Sequence, residues 1–265
     1  MTPNLAGPLV SVIVPSRNSG ETIIPCLNSI HGQSYDNTEI IVVDNFSTDD
    51  TVSKARGLAE RVLQKGPERS AQKNHGARNA NGQYIAFVDS DMVVSRTVLE
   101  ECVEAAAHAD ACIVPQATIG RDFWGRCVTE GQRPSRLDPT KHAPRFFDKE
   151  VFLQLGGYNE DLVYGEDKDL QRRALNQGVK IARTTSVLYH IDKAPLRART
   201  LKFLYYGRHI SNYISHTQDR SSFMPLKPSY WRRVGRIRRP LHFAGFLLLK
   251  LIEYEAYLLA RGLSR

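Results

Sequence analysis

The chain has 265 residues and an ordinary globular composition, enough for one large domain or one domain with an appendage. Its net charge of +8 is concentrated, because residues 191–240 carry 12 Lys/Arg against 2 Asp/Glu while residues 1–190 carry 21 against 24. Four cysteines (Cys26, Cys102, Cys112, Cys127) without a Cys-x-x-Cys pair argue against a zinc site or a disulfide framework and fit a reducing cytosol; Met1–Pro8 lacks the stretches of a signal peptide, and no apolar run approaches the roughly 20 residues that span a bilayer.

Val10–Val14 is β-favouring and apolar, and reads as a buried strand. Residues 21–30 show helical spacing in Ile23, Ile24, Leu27 and Ile30, with Pro25 tolerable only in the first turn. Glu39–Asp44 is a second buried strand, ending in a carboxylate. Ser47 or Thr48, followed by Asp49 and Asp50, is expected to open a helix to about Ala59. A third helix is expected over Ser70–Ala80, stopped by Asn81-Gly82. Tyr84–Asp91 is an apolar strand that finishes in Asp89-Ser90-Asp91. A helix over Val94–Ala109 and a strand over Ala111–Pro115 follow, and residues 131–144 read as a flexible loop near a site. Arg145–Asp148, a helix at Lys149–Leu155, a Gly156-Gly157 turn, a helix at Glu166–Asn176, and strands at Lys180–Ala182 and Val187–His190 complete the core. The alternation of strands and helices predicts an α/β fold with a mostly parallel sheet and helices on both faces.

The tail differs. Arg197–Ser215 reads as helical, residues 218–228 as a loop, and Leu241–Leu259 as a strongly apolar helix with His242, Lys250, Glu253 and Arg261 on one side. Arg232, Arg233, Arg236, Arg238 and Arg239 precede it. An apolar helix behind arginines either suits the interface of an anionic membrane or packs on the protein's own core, and the sequence leaves both open.

No Gly-x-Gly-x-x-Gly follows the first strand and no P-loop occurs, so a dinucleotide site and a P-loop are poorly supported. Three strand ends present polar groups instead: Ser16 and Asn18, Asp44 and Asn45, Asp89 and Asp91. In an open sheet such ends share the edge where ligands sit. Hard carboxylate donors there suit Mg²⁺ or Mn²⁺ better than zinc, the alternative being that Asp89 and Asp91 cap the next helix. Arg69 and Lys73, about one turn apart, are able to face the same ligand. Carboxylates, a metal and two cations suit a nucleoside diphosphate.

Five ordered segments, Val-Ser-Val-Ile-Val-Pro-Ser-Arg-Asn (10–18), Ile-Val-Val-Asp-Asn-Phe-Ser-Thr-Asp-Asp-Thr (41–51), Arg-Ser-Ala-Gln-Lys-Asn-His-Gly-Ala (69–77), Phe-Val-Asp-Ser-Asp-Met (87–92) and Gly-Glu-Asp-Lys-Asp-Leu (165–170), resemble the family 2 glycosyltransferases of GT-A fold. The resemblance implies a catalytic domain over residues 1–192, with 193–265 as a basic helical extension. It also implies inverting transfer from a nucleoside diphosphate sugar, UDP-linked by family frequency, with Mn²⁺ or Mg²⁺. The donor set it implies is Pro15, Ser16, Arg17, Asn18, Asp44, Asn45, Arg69, Lys73, Asp89 and Ser90. Asp91, Asp89 and His190 would be the metal ligands, although a histidine ending a strand is as often structural. Asp167 is the first choice of base and Glu166 the second, with helix capping as the alternative for both. The absence of Gln-x-x-Arg-Trp favours single additions to a lipid-linked or glycan acceptor, by an enzyme peripheral at the cytoplasmic face of an anionic membrane. A nucleotidyltransferase making activated sugars lacks the Gly-rich basic loop it needs. A nucleic-acid-binding protein lacks a recognition motif in the basic stretch.

Overall fold

The computed structural model describes residues 7–135, 138, 141–192, 194–217 and 228–262. The loop expected at 218–228 therefore lies outside the described residues except for Pro228, as do residues 136, 137, 139 and 140 of the loop expected at 131–144 and the Arg261 side chain. By contacts the chain forms two compact units: Met1–Gln116, His142–Glu160 and Glu166–Tyr189 make one; Ala117–Lys141, Asp161–Gly165 and His190–Arg265 make the other. By contacts, residues 117–141 and 161–165 group with residues 190–265.

The first unit is built on a seven-stranded sheet. In chain order it contains β1 (Val10–Ser16), α1 (Ile23–His31), β2 (Thr38–Asp44), α2 (Thr51–Arg56), β3 (Arg61–Gln64), α3 (Arg69–Asn79), β4 (Tyr84–Phe87), β5 (Met92–Val94), α4 (Val98–Ala105) and β6 (Ala111–Ile113). The chain then leaves through β7 (Gln116–Gly120) and α5 (Phe123–Gln132), and returns for β8 (Phe146–Asp148), α6 (Lys149–Gln154), α7 (Glu166–Asn176) and β9 (Ile181–Arg183). The sheet order is β3-β2-β1-β4-β8-β6-β9. β1 is parallel to β2 and β4, β2 to β3, and β6 to β9, whereas β8 runs antiparallel to both of its neighbours.

Strands apolar on both faces belong in a sheet covered on both sides, and β1 shows why. Val10, Val12 and Val14 pack with Ile23, Leu27 and Ile30 of α1 and with Val98 and Leu99 of α4. Ile13, between them, points into the other layer with Ala77 of α3, Phe152 of α6 and Leu170 of α7. α1 begins two residues before Pro25, which therefore sits in the first turn where its missing N–H costs nothing.

Expectation fails in three stretches of the chain. The carboxylate strand ends at Phe87, and Met92–Val94 forms β5, so the helix expected from Val94 starts only at Val98. The helix expected from Ser47 starts at Thr51 and ends at Arg56, and β3, which has too few apolar residues to announce itself, follows. β7 and α5 have no counterpart in the sequence reading. α5 contains Gly125 and Gly131, which weaken helical propensity, and Gly131 to Ser135 fall in α5 and a 3₁₀ turn rather than a loop.

The second unit explains those glycines. β10 (Leu188–Asp192) leads into α8 (Leu196–Thr217), and α9 (Pro228–Trp231) and α10 (Pro240–Gly262) follow. α10 packs on both α5 and α8. A Cβ on Gly131 would stand 2.0 Å from the Phe246 ring, and one on Gly245 would stand 2.5 Å from Cys127 Sγ. Phe246, Leu249 and Cys127 enclose Tyr230, whose hydroxyl donates to Gly131 O at 2.7 Å. One face of α10 is therefore core, while Leu241, Leu248, Leu251, Leu258 and Leu259 remain exposed on it.

Candidate active site

Parallel pairing brings the carboxyl ends of β1, β2 and β4 to one edge, with Ser16 beside Asp44. Asp44 is fully buried; its Oδ1 accepts from Ser16 Oγ at 3.1 Å and its Oδ2 from Ser47 N at 2.8 Å. Asn18 takes a left-handed backbone (φ 48), its N–H donates to Ser47 Oγ at 2.8 Å, and its Oδ1 accepts from Thr48 N at 2.9 Å. Ser47 and Thr48 thus tie two strand ends together instead of capping a helix. Asn45 donates its N–H to Ser16 O at 2.9 Å and its Nδ2 to Pro67 O. Pro15 is buried opposite Val43, while Arg17 is exposed. Gln72 of α3, buried, donates to both Ser16 O and Val43 O and so fixes the helix carrying Arg69 and Lys73 against these ends.

Asp89 lies just past β4 between two cations. Arg145 Nη2 donates to its Oδ2 at 2.8 Å and Lys73 Nζ stands 3.6 Å from its Oδ1. Burial opposes the charged form of Asp89, but Arg145, Lys73 and Arg69 outweigh it and hold the carboxyl well below the usual range. Burial conversely pushes the Lys73 ammonium down, against the pull of Asp89. The ammonium also sits over the ring of Tyr158, 4.9 Å from its centroid. Ser90 is buried, with its Oγ 2.8 Å from Ser19 Oγ. Asp91 is half-buried; burial chiefly, with the charges of Asp91 and Asp89, raises the Cys26 thiol of α1. Neither caps α4, whose N-cap is Thr97, and the capping alternative for the pair is set aside.

Arg145 is absent from the sequence-derived set. An all-parallel reading would send the start of every strand to the far edge. β8 is antiparallel, with Phe146 opposite Ala86, so the residue ahead of it arrives where β4 ends, and Phe87 N donates to Arg145 O at 2.8 Å. Tyr158 was likewise unforeseen. It closes an aromatic cluster with Phe87 and Phe152 (centroids 5.2 and 5.6 Å), and Asn74 Nδ2 donates to its carbonyl at 2.8 Å.

Glu166 and Asp167 form the first turn of α7. Glu166 is buried with Arg69 Nη2 3.9 Å away; burial raises its pKa, opposed by Arg69 and reinforced by Asp167. Asp167 is half-buried and its Oδ1 accepts from Lys168 N at 2.8 Å. Asp169 turns to other work: fully buried, it binds Arg173 Nε at 2.8 Å, and Arg173 Nη2 donates to Gly157 O at 2.7 Å. Burial raises the Tyr158 hydroxyl, with the charges of Asp167, Glu166 and Asp89 adding to it and Arg145 opposing it. His190 is half-buried on β10 and belongs to the second unit. Among the described residues no three His, Cys, Asp or Glu side chains gather into a metal-binding group.

A mainly parallel sheet carrying these carboxylates and cations at one edge defines the class: residues 11–157 match Glycosyl transferase family 2, and the chain belongs to that family. It is 38% identical over 113 residues to Glycosyltransferase GlyG of Streptococcus pneumoniae, covering 40% of this chain and 38% of the relative. It is 28% identical over 183 residues to the GalNAc(5)-diNAcBac-PP-undecaprenol beta-1,3-glucosyltransferase of Campylobacter jejuni, covering 62% and 58%. The chain thus spans about two-fifths to three-fifths of the length of these relatives. Among solved structures it resembles mannosyltransferase PcManGT from Pyrobaculum calidifontis in complex with GDP-Man and Mn²⁺ (TM-score 0.58, 22% identity, 97% of this chain and 75% of that one). It also resembles S. aureus TarS 1–349 in complex with UDP-GlcNAc (TM-score 0.53, 18% identity, 96% and 90%). At these identities the likeness is one of fold, the GT-A type α/β architecture.

Proposed function

We propose that the protein is an inverting, nonprocessive, metal-dependent glycosyltransferase that moves one sugar from a nucleoside diphosphate sugar to a lipid-linked or glycan acceptor. The observation that carries this reading is the gathering of Asp44, Asp89, Lys73, Arg145, Glu166 and Asp167 in one unit, with the first five buried or nearly so. Donors named with the structural relatives are GDP-Man and UDP-GlcNAc, and the reading here is a UDP-sugar. The undecaprenol-linked substrate in the name of the Campylobacter relative supports a lipid-linked acceptor.

In this reading Pro15, Ser16, Arg17, Asn18, Asp44 and Asn45 hold base and ribose. Arg69 and Lys73 attract the diphosphate, and Asp89 and Ser90 border it. The donor set also fits a hard divalent cation, because Asp89 Oδ1 is buried without a hydrogen bond and Asp91 adds oxygen donors. Asp91 would hold Mn²⁺ or Mg²⁺ with Asp89 in support. Such an ion, when bound, neutralises the charge that grows on the departing diphosphate. Asp167 takes the proton of the acceptor hydroxyl, with Glu166 as the second choice.

Residues 1–192 supply the catalysis and residues 193–265 the attachment to an anionic membrane surface at the cytoplasmic face. Supporting this, no helix of the described residues is long and apolar enough to cross a membrane, while α10 exposes leucines behind exposed Arg232, Arg236, Arg238 and Arg239. The test is a donor panel of UDP, GDP and dTDP sugars with Mn²⁺ or Mg²⁺, read as nucleotide release and product anomer. Release from one donor class, abolished in Asp91→Asn, supports the proposal. Release from none, or full turnover in Asp91→Asn, refutes it. Pyrophosphate release from a nucleoside triphosphate would indicate a nucleotidyltransferase instead, and salt-dependent nucleic-acid binding without vesicle binding would revive that other reading.

A further inference from the structure

Phe46, in the loop after β2, is a large apolar side chain left mostly in water. It directly follows β2 and Asn45, is 62% exposed, and has a left-handed backbone (φ 49). That region is unfavourable for a bulky side chain and is readily entered by glycine or asparagine. The loop is held rigidly on either side of it: Asn45 is bonded to Ser16 O and Pro67 O, and Ser47 N to Asp44 Oδ2. The ring is placed against Gly66, whose missing Cβ would stand 3.5 Å from Phe46 Cε2, so one edge is supported and most of its surface faces water. A pinned, strained, exposed aromatic ring two residues from the buried Asp44 carboxylate has the makings of a stacking platform, and backbone strain of this kind persists where it serves a site.

We infer that Phe46 is the face on which the nucleobase of the donor stacks. The inference rests on the donor-site reading above and adds to it the residue that gripping a planar base requires. Stacking is tolerant of base identity, since every base has a π-face, so Phe46 contributes affinity for the nucleotide and Asp44 remains the group able to choose the base.

The experiment measures dissociation constants of UDP, GDP and inorganic pyrophosphate, with Mn²⁺, on the full chain and on Phe46→Asn, Phe46→Leu and Phe46→Trp. Removing one base–aromatic stack weakens nucleotide binding about fivefold to a hundredfold. Phe46→Asn and Phe46→Leu are expected to show that loss for UDP and GDP with pyrophosphate binding unchanged. Phe46→Trp is expected to keep the affinity and to have its added emission quenched by nucleotide but not by pyrophosphate. Phe46→Asn, which accepts the left-handed backbone, is expected to melt no lower than the parent. Unchanged nucleotide affinity in Phe46→Asn overturns the inference, as does equal loss for pyrophosphate, which would mean that the loop had collapsed. If the parent itself binds neither nucleotide, the donor-site reading fails first and takes the inference with it.

Discussion

The cluster around Asp89 is a buried network of one anion and two cations, and its members are not interchangeable in cost. Asp89→Asn leaves Lys73 and Arg145 without their anion in a site that offers little water. Breaking such a pair from one side costs about 3–5 kcal/mol. Chemical denaturation of Asp89→Asn and of Lys73→Met, which removes the more heavily desolvated charge, should therefore give a large loss for the first and a smaller one for the second. The pH dependence follows from the direction of the shift. Asp89 is held below its unfolded value, so its contribution is complete above about pH 4, where the unfolded carboxylate ionises, and is lost as pH falls through the folded value. The acid limb of the stability curve should flatten in Asp89→Asn. Glu166 has the opposite sign: burial raises its pKa, so its contribution is present at low pH and lost as pH rises through the folded value. Glu166→Gln is expected to raise the melting temperature at pH 7, the result of removing a charge whose burial opposes its ionised form. Asp167→Asn should abolish transfer and leave nucleotide binding intact; loss of both would assign it a structural role.

At the scale of elements, α7 is placed by a latch rather than by its apolar face alone. Asp169 holds Arg173, and Arg173 reaches the carbonyls of Leu155 and Gly157 in the turn after α6. Asp169→Ala should destabilise by roughly 3 kcal/mol and also lower turnover, because Glu166 and Asp167 ride on the same helix; the control is Arg172→Ala, whose partly exposed side chain should cost far less. The packing of α5 on α10 makes a second prediction. Gly131→Ala forces a methyl group into the Phe246 ring and should cost about 1–3 kcal/mol by overpacking, measured by urea unfolding. These same elements show what was legible beforehand. β1, β2, α3 and α7 were read to within two residues because their apolar periods and their boundary residues agree. β3 and β7 were missed because short strands with few β-branched residues give no period, and α5 because its glycines, needed for close contact, mimic a loop. Of the site, the strand-end residues could be read from the strands that deliver them. Arg145 and Tyr158 could not, since their arrival depends on a strand direction and on packing against distant residues that local sequence does not encode.

At the scale of the molecule, the uneven charge and the exposed leucines of α10 belong to one argument. α10 already buries Phe246, Leu249, Ala256, Tyr257 and Ala260, so its stability needs no second stripe. Cosedimentation with vesicles rich in anionic lipid should be strong at low salt and weaken as ionic strength rises, by screening of the arginines. Leu248→Ser with Leu251→Ser should reduce it at every salt concentration without changing the melting temperature, because both side chains are about half exposed in the folded state. Unaltered binding in that pair would assign the affinity to charge alone.

The reversed direction of β8 also sets an order of events in time. Arg145 and Asp89 are 56 residues apart in the chain, and the segment between them includes the excursion through β7 and α5 into the other unit. On a ribosome, which extends the chain at about 5–20 residues per second, Asp89 emerges several seconds before its guanidinium partner. During that interval β4 has no neighbour on its β8 side, and the carboxylate has Lys73 and the more distant Arg69 but not Arg145 to answer it. Closure of the Asp89–Arg145 pair thus waits for the return of the chain from the second unit rather than for formation of β4.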